Sequence, residues 1–236
     1  MIHCRRLAGL QLGRQFDRHT GFSLDSNPRG TWSFGSAVEP GDFRPFPFYF
    51  LNSDYSTWAP SNTEHYPCVR QNISGRLLQG GGDLIPPETL FLEPGARHAS
   101  EFQWSVARFT SPEAGALRFR GAYEALALGY GGTQQVIVHG RRRLAEHVLA
   151  PSHGEIWEFE VELDAAAGDT VDFLLGPSPN GDNSSDTTGF SVDIAFQPEA
   201  SRWSWAAWAS AVGAALIAVR LRKRFQTHRP GPTAGV

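Results

Sequence analysis

The 236-residue chain is short of the features that usually announce a function. It has two cysteines, Cys4 and Cys68, too far apart for a metal motif and too few for a disulfide framework. No lipobox-like apolar run precedes Cys4. Lysine occurs once, at Lys223, against many arginines, which reads as the codon bias of a GC-rich genome. No G-x-S-x-G or H-E-x-x-H motif is present, and His139, His147 and His153 are scattered. A net charge of −3 argues against a nucleic-acid partner. Residues 1–21 carry Arg5 and Arg6 but no apolar run of the length a secretory signal needs. Helical periodicity is missing before Trp203, except for a short stretch over residues 142–149.

What is present points to β-structure. Gly 25, Pro 16 and 12% aromatics suit short strands joined by many turns. Phe102, Trp104 and Val106 alternate with polar residues, as do Leu117 and Phe119. The same holds for Trp157, Phe159, Val161 and Leu163 against Glu158, Glu160 and Glu162. Val136 and Val138, then Val171, Phe173 and Leu175, then Phe190, Val192, Ile194 and Phe196 continue the pattern. Alternation with one polar face marks half-buried antiparallel strands. Turn signals separate the runs at residues 111–113, 131–132, 167–169 and 179–182. The expectation is a mainly β chain, an antiparallel β-sandwich of jelly-roll-like type over residues 26–196. Residues 1–25 read as a poorly ordered arm, and residues 51–88, rich in Gly, Pro, Asn and Ser, as a long irregular segment.

The C-terminal end gives an address. Residues 203–219 (WSWAAWASAVGAALIAV) are uncharged, and Arg220, Arg222, Lys223 and Arg224 follow at once. Seventeen residues at about 1.5 Å each cover about 25 Å, close to the thickness of a bilayer core. Trp203, Trp205 and Trp208 suit one interface, and the arginines can snorkel at the other. The expected organisation continues with a linker at 197–202, a transmembrane helix at 203–219 and a basic cytoplasmic tail at 220–236. The tail has five basic residues and no acid, while residues 1–219 carry a net charge of −8. The positive-inside bias therefore places the sandwich outside the membrane, at the cell envelope or surface. That location requires export, so the expectation is that a signal lies upstream of Met1, the alternative being a cytoplasmic domain with the helix as a tail anchor.

Several runs resemble a family of exported bacterial β-sandwich proteins. Asn27-Pro28-Arg29-Gly30-Thr31-Trp32-Ser33-Phe34-Gly35 resembles the family's "NPNGxWSYG" opening. Phe109-Thr110-Ser111-Pro112-Glu113-Ala114-Gly115 is similar to its "WTAPxAG". Gly168-Asp169-Thr170-Val171-Asp172-Phe173 and Asp186-Thr187-Thr188-Gly189 resemble its close. Pro198-Glu199-Ala200, the apolar stretch and the basic cluster resemble the PEP-CTERM sorting signal, with Ala200 in place of the motif's final proline. The resemblance implies a carbohydrate-binding-like sandwich and removal of the tail by an exosortase-type protease.

Two constellations could hold ligands. Asp169, Asp172, Asn180, Asp182 and Asp186, with Thr188, are the densest oxygen-ligand cluster and suit a structural Ca²⁺, the alternative being turn chemistry. No other cofactor is expected. Tyr55, Trp58 and Tyr66, in or beside the irregular segment, could line a glycan groove, the alternative being that they cover one end of the core. Asn72-Ile73-Ser74 and Asn183-Ser184-Ser185 fit the glycosylation sequon by chance. Three functions follow in order: a non-enzymatic, exported, anchored sandwich; a module that binds extracellular polysaccharide; and a sandwich-fold hydrolase, which would need carboxylates converging in a cleft.

Overall fold

The computed structural model describes residues 15–16, 26–63, 66–95, 104–129, 131–177 and 185–199. Sixteen strands occur among the described residues. They are β1 (Gln15–Phe16), β2 (Trp32–Ala37), β3 (Phe43–Pro45), β4 (Phe48–Leu51), β5 (Tyr55–Ala59) and β6 (Cys68–Asn72). Then come β7 (Leu78–Gly80), β8 (Asp83–Ile85), β9 (Leu90–Glu93), β10 (Trp104–Thr110) and β11 (Gly115–Ala125). The chain continues with β12 (Thr133–His139), β13 (Arg142–Leu149), β14 (Ile156–Ala165), β15 (Thr170–Pro177) and β16 (Thr188–Pro198). One sheet runs β14-β11-β16-β9-β6-β5-β4, with β1 paired to β16; a second runs β13-β12-β15-β10-β2-β3; and β7-β8 form a hairpin of their own. The pairings of these strands are antiparallel. From β9 to β16, successive strands alternate between the two large sheets, apart from the β12–β13 hairpin.

Burial explains the two layers. Phe109, Ile137, Val171 and Phe173 from one sheet share a core with Phe119, Phe159, Phe190 and Ile194 from the other. The rings interlock across the layers: Phe109–Phe119 at 5.6 Å, Phe119–Phe173 at 5.5 Å and Phe173–Phe190 at 5.3 Å between centroids. Such pairs add about 0.5–1.5 kcal/mol each beyond the area they bury. The molecule is thus a β-sandwich.

Four expectations need correction. Residues 51–88 are not irregular; β5 to β8 and the end of β4 lie there. Their strands are only three to five residues long, too short to show a period between the turns. Residues 142–149 form β13, not a helix; it is an edge strand, and a bulge at Ile137/Val138 of β12 shifts its register and blurs its alternation. Two residues of the expected arm, Gln15 and Phe16, pair with Ala195 and Ile194. The sandwich also runs past residue 196, since Gln197 and Pro198 pair with Ala116 and Gly115.

The second sheet is apolar on both faces. Ala37, Trp104, Val106, Val136, Val138 and Leu174 form a separate buried cluster on its outer side. The loop between β2 and β3 folds back over that side. Phe43 packs on the cluster, and Gly41 lies against the Gly140 carbonyl, where a Cβ would come within 2.9 Å. Arg108 at the margin of this face is held by Asp172 through two hydrogen bonds, of 2.6 and 2.8 Å, and lies 4.0 Å over the Phe43 ring. The opposite sheet leaves much of its outer face open to solvent. The outward residues Glu124, Arg120, Glu158, Glu160 and Asp193 are exposed there.

Candidate ligand-binding cleft

A cleft of about 430 Å³ crosses the open face of the first sheet. Its floor follows from small side chains at adjacent register positions. Ala122 on β11 pairs with Ser191 on β16, and Glu124 pairs with Gly189. Ala122, Ser191 and Gly189 raise little above the backbone, so the sheet is depressed here. On one side β14 supplies Ile156, 53% exposed, and Glu158, which pairs with Ala122. On the other side the sheet forks. β9 pairs with β16 only at Phe91 and Leu92, and the segment leading into β9 forms the wall with Pro87, Glu88 and Thr89.

That wall is held in an unusual conformation. Glu88 has φ 60°, in the left-handed region that non-glycine residues seldom adopt. Its amide donates to the Asn72 carbonyl at 3.0 Å, and the Asn72 amide donates to the Thr89 carbonyl at 3.0 Å. Asn72 is fully buried; its Nδ2 donates to the carbonyls of Arg76, Ile85 and Pro86, and its Oδ1 accepts from the Ser74 amide. The sequon asparagine at 72 is therefore a knot that fixes the cleft wall, with no free amide for a glycan.

The cleft thus combines three carboxylates (Glu88, Glu124, Glu158), the Gln71 amide and the Thr89 and Ser191 hydroxyls with apolar edges at Pro87, Leu90 and Ile156. The three glutamates are exposed, and among the described residues none of them makes an ion pair. Farther along the same face the charges are matched. Arg118 Nε donates to Glu160 at 2.7 Å and lies 3.0 Å from Glu162, and Arg120 Nε donates to Glu160 at 2.9 Å. The hydrogen bonds from Arg120 and Arg118 lower the pKa of Glu160.

The candidates read from the sequence lie elsewhere. Trp58 is 6% exposed and belongs to the main core, with its ring tilted against Tyr49 at 5.1 Å between centroids. Tyr55, three positions earlier on β5, faces the other way and meets the Phe91 ring edge-on at 5.8 Å. Tyr66 is 49% exposed, with its ring 5.3 Å from the Arg70 guanidinium. These three residues do not form one platform. Arg70 in turn meets Glu93 at 3.0 Å. Glu93 also accepts from Cys68 Sγ and Thr187 Oγ1, each at 3.1 Å, and Asp83 lies 3.1 Å from the same Thr187 hydroxyl. Burial pushes the Cys68 thiol well up and raises the Asp83 carboxyl. This network joins β6, β8, β9 and the segment leading into β16.

Among the described residues, the expected Ca²⁺ ligands Asp169, Asp172 and Asp186 are not brought together. Asp169 binds His139 at 3.0 Å and accepts from the Ala166 amide at 2.9 Å, at the C-terminal end of β12. Asp172 is engaged by Arg108. Asp186 precedes Thr188, whose hydroxyl is 3.5 Å from that of Thr133 at the N-terminal end of β12. The length of a seven-residue strand, about 20 Å, separates the two ends. Asn180 and Asp182 lie outside the described residues. Of the three residues expected as a sorting motif, Pro198 ends β16 and the Glu199 amide donates to the Ala114 carbonyl at 3.0 Å. Ala200, Trp203, Trp205, Trp208, Arg220, Arg222, Lys223 and Arg224 lie outside the described residues. Among the described residues, no helix is long and apolar enough to cross a membrane.

Sequence reasoning missed the cleft because its residues come from five strands and the 86–89 turn, with no local motif. The one available signal was small residues, Ala122, Gly189 and Ser191, on faces that otherwise carry charge.

No family model matches the chain, and no curated protein does. Distant similarity to solved structures exists. A CBM51 from Clostridium perfringens GH95, in complex with methyl-galactose, is 7% identical over 77% of this chain and 99% of that one, with a TM-score of 0.36. The CBM51-2 and INT domains of Clostridium perfringens ZmpB are 13% identical over 55% of this chain, at a TM-score of 0.34, and only 28% of that chain is covered. A cyclase from Fischerella sp. TAU, in complex with 4-(1H-indol-3-yl)butan-2-one, is 12% identical over 75% and 88%, at 0.37. Likenesses this distant leave the function to be argued from the cleft itself.

Proposed function

We propose that this protein is a carbohydrate-binding module on a jelly-roll sandwich, with the open-sheet cleft as its glycan site. The observation that carries this reading is the composition of the cleft. A pyranose ring has an apolar face and a rim of hydroxyls. Ile156, Leu90 and Pro87 offer apolar contact. The carboxylates accept from paired hydroxyls, while Gln71, Thr89 and Ser191 both donate and accept. A cleft of this size lies in the range of small-ligand sites, and its open face leaves room for a polymer to continue past it.

Catalysis is the weaker reading. Hydrolysis by two carboxylates requires two different environments, one favouring the acid and one the base. Glu88, Glu124 and Glu158 share one exposed face. The location read from the sequence, an exported protein anchored by residues 203–219 with a PEP-CTERM-like tail and an exosortase-type partner, completes the proposal: a surface module that holds extracellular polysaccharide. The test is a glycan array on the full chain beside Ala122→Trp, which fills the cleft floor. Binding that the substitution abolishes supports the reading; binding to no glycan, or binding indifferent to Ala122→Trp, overturns it.

A further inference from the structure

Among the described residues, the cations that face the same side as the cleft all have carboxylates of their own. On β11, Arg120 and Arg118 are held by Glu160 and Glu162. On β6, Arg70 is held by Glu93. Neither β14 nor β16 carries a lysine or arginine. Inside the cleft the balance is different: Glu88, Glu124 and Glu158 meet there, and no basic residue lines it among the described residues. Glu124 and Glu158 are diagonal neighbours on one face, because Glu124 pairs with Ile156 and Glu158 with Ala122. At about 7–8 Å between such positions, their charges repel across the space that a ligand would enter. Glu88 is added from the opposite wall by a backbone conformation that its side chain alone does not favour.

On the reading of this cleft as a glycan site, we infer that its ligand is a cationic amino-sugar polymer, a glycan whose free amines supply the positive charge that the described lining of the cleft does not provide. The logic is that of the neighbouring ladder. Below the cleft the sheet neutralises its glutamates with its own arginines; inside the cleft the ligand does so. An ammonium group on a sugar ring donates up to three hydrogen bonds and meets an ionised carboxylate as a charge-assisted pair. A uronic-acid polymer would bring like charge against three carboxylates, a juxtaposition that works against binding. A neutral glycan keeps the ring and hydroxyl contacts but gains no charge pairing. The hydroxyls of Thr89 and Ser191 and the amide of Gln71 then read the remaining sugar hydroxyls.

The experiment titrates the full chain by calorimetry at mildly acidic pH, where the amines of the glucosamine oligomer are protonated. Four hexameric probes are used: β-linked glucosamine, its fully N-acetylated counterpart, a uronate oligomer and oligolysine. The glucosamine oligomer should bind about tenfold or more tighter than the acetylated one, and that preference should shrink as salt is raised. The variant Glu88→Gln/Glu124→Gln/Glu158→Gln changes only exposed side chains. It should lose the preference and bind the glucosamine and acetylated oligomers with equal affinity, with an unchanged circular dichroism spectrum. Equal or tighter binding of the acetylated or uronate oligomer overturns the amino-sugar inference and leaves the glycan site standing. Oligolysine binding as tight as the glucosamine oligomer shows unselective cation capture and overturns the inference as well. Binding of none of the glycans overturns the inference and the glycan reading together.

Discussion

Glu158 and Glu160 are two residues apart on β14 and face the same way, yet they sit in different chemistry. Glu160 accepts hydrogen bonds from Arg118 and Arg120 across the strand pair. Glu158 lies opposite Ala122 and makes no ion pair among the described residues. A third glutamate, Glu93, is 7% exposed and accepts from Arg70, Cys68 and Thr187. One residue type therefore occupies three settings on one sheet: a buried hub, an exposed ladder and a bare cleft. A charge matched inside the protein serves the fold, and a charge left unmatched at a depression in the surface is available to a ligand.

The largest expected effect lies at the hub. Glu93→Ala leaves the half-buried Arg70 charge without its partner and should cost about 3 kcal/mol in urea denaturation. Replacing both, as Arg70→Met/Glu93→Leu, should cost less than the single change; an equal or greater cost would break the contrast between hub and ladder. Next comes Ala122→Trp, which should reduce glycan affinity at least about tenfold with little change in stability, since it adds bulk only at the open floor. In the ladder, Arg118→Gln/Arg120→Gln should produce a stability loss several-fold smaller than Glu93→Ala, and high salt should erase it.

The ladder also predicts a pH signature. The pKa of Glu160 is lowered from its ordinary value of 4.5 by hydrogen bonds from Arg120 and Arg118. A depressed carboxylate contributes stability that is present above 4.5 and lost as pH falls through the folded-state value. Glu160→Gln should therefore remove part of the acid-limb loss of stability below pH 4.5. The smallest effect belongs to the cleft. Glu158→Gln should shift stability by no more than about 0.5 kcal/mol at neutral pH; a larger loss would mean that Glu158 serves the fold after all.

How much of this was legible in the sequence depends on what each strand faces. β14 has one core face and one wet face, so Phe159 and Val161 alternate visibly with Glu158, Glu160 and Glu162. β12 and β15 are buried on both sides, so in their runs Val136-Ile137-Val138 and Phe173-Leu174-Leu175 the residues between the alternating positions are apolar as well. They were legible as strands but not as strands with a buried outer face. β5 to β8 are short, and their polar residues, such as Asn72, serve as internal hydrogen-bond partners that resemble loop composition in the sequence. Trp58 illustrates the limit for the site: an aromatic in a polar stretch can face either side of a strand, and only the pairing of Trp58 with Val69 and Tyr49 settles that it faces the core. The cleft was illegible because its floor is defined by cross-strand register, which brings residues about 70 positions apart, such as Ala122 and Ser191, side by side.

The most direct test maps the ligand on the sheet. Backbone amide NMR of the full chain would be recorded during titration with the β-linked glucosamine hexamer and its N-acetylated counterpart. The account predicts that at least one of them moves the resonances of Ala122, Glu124, Glu158, Gly189 and Ser191 and leaves those of Arg118 and Glu162 in place. Shifts centred on the arginine ladder or around Tyr66 and Arg70, or no shifts with either oligomer, would contradict it.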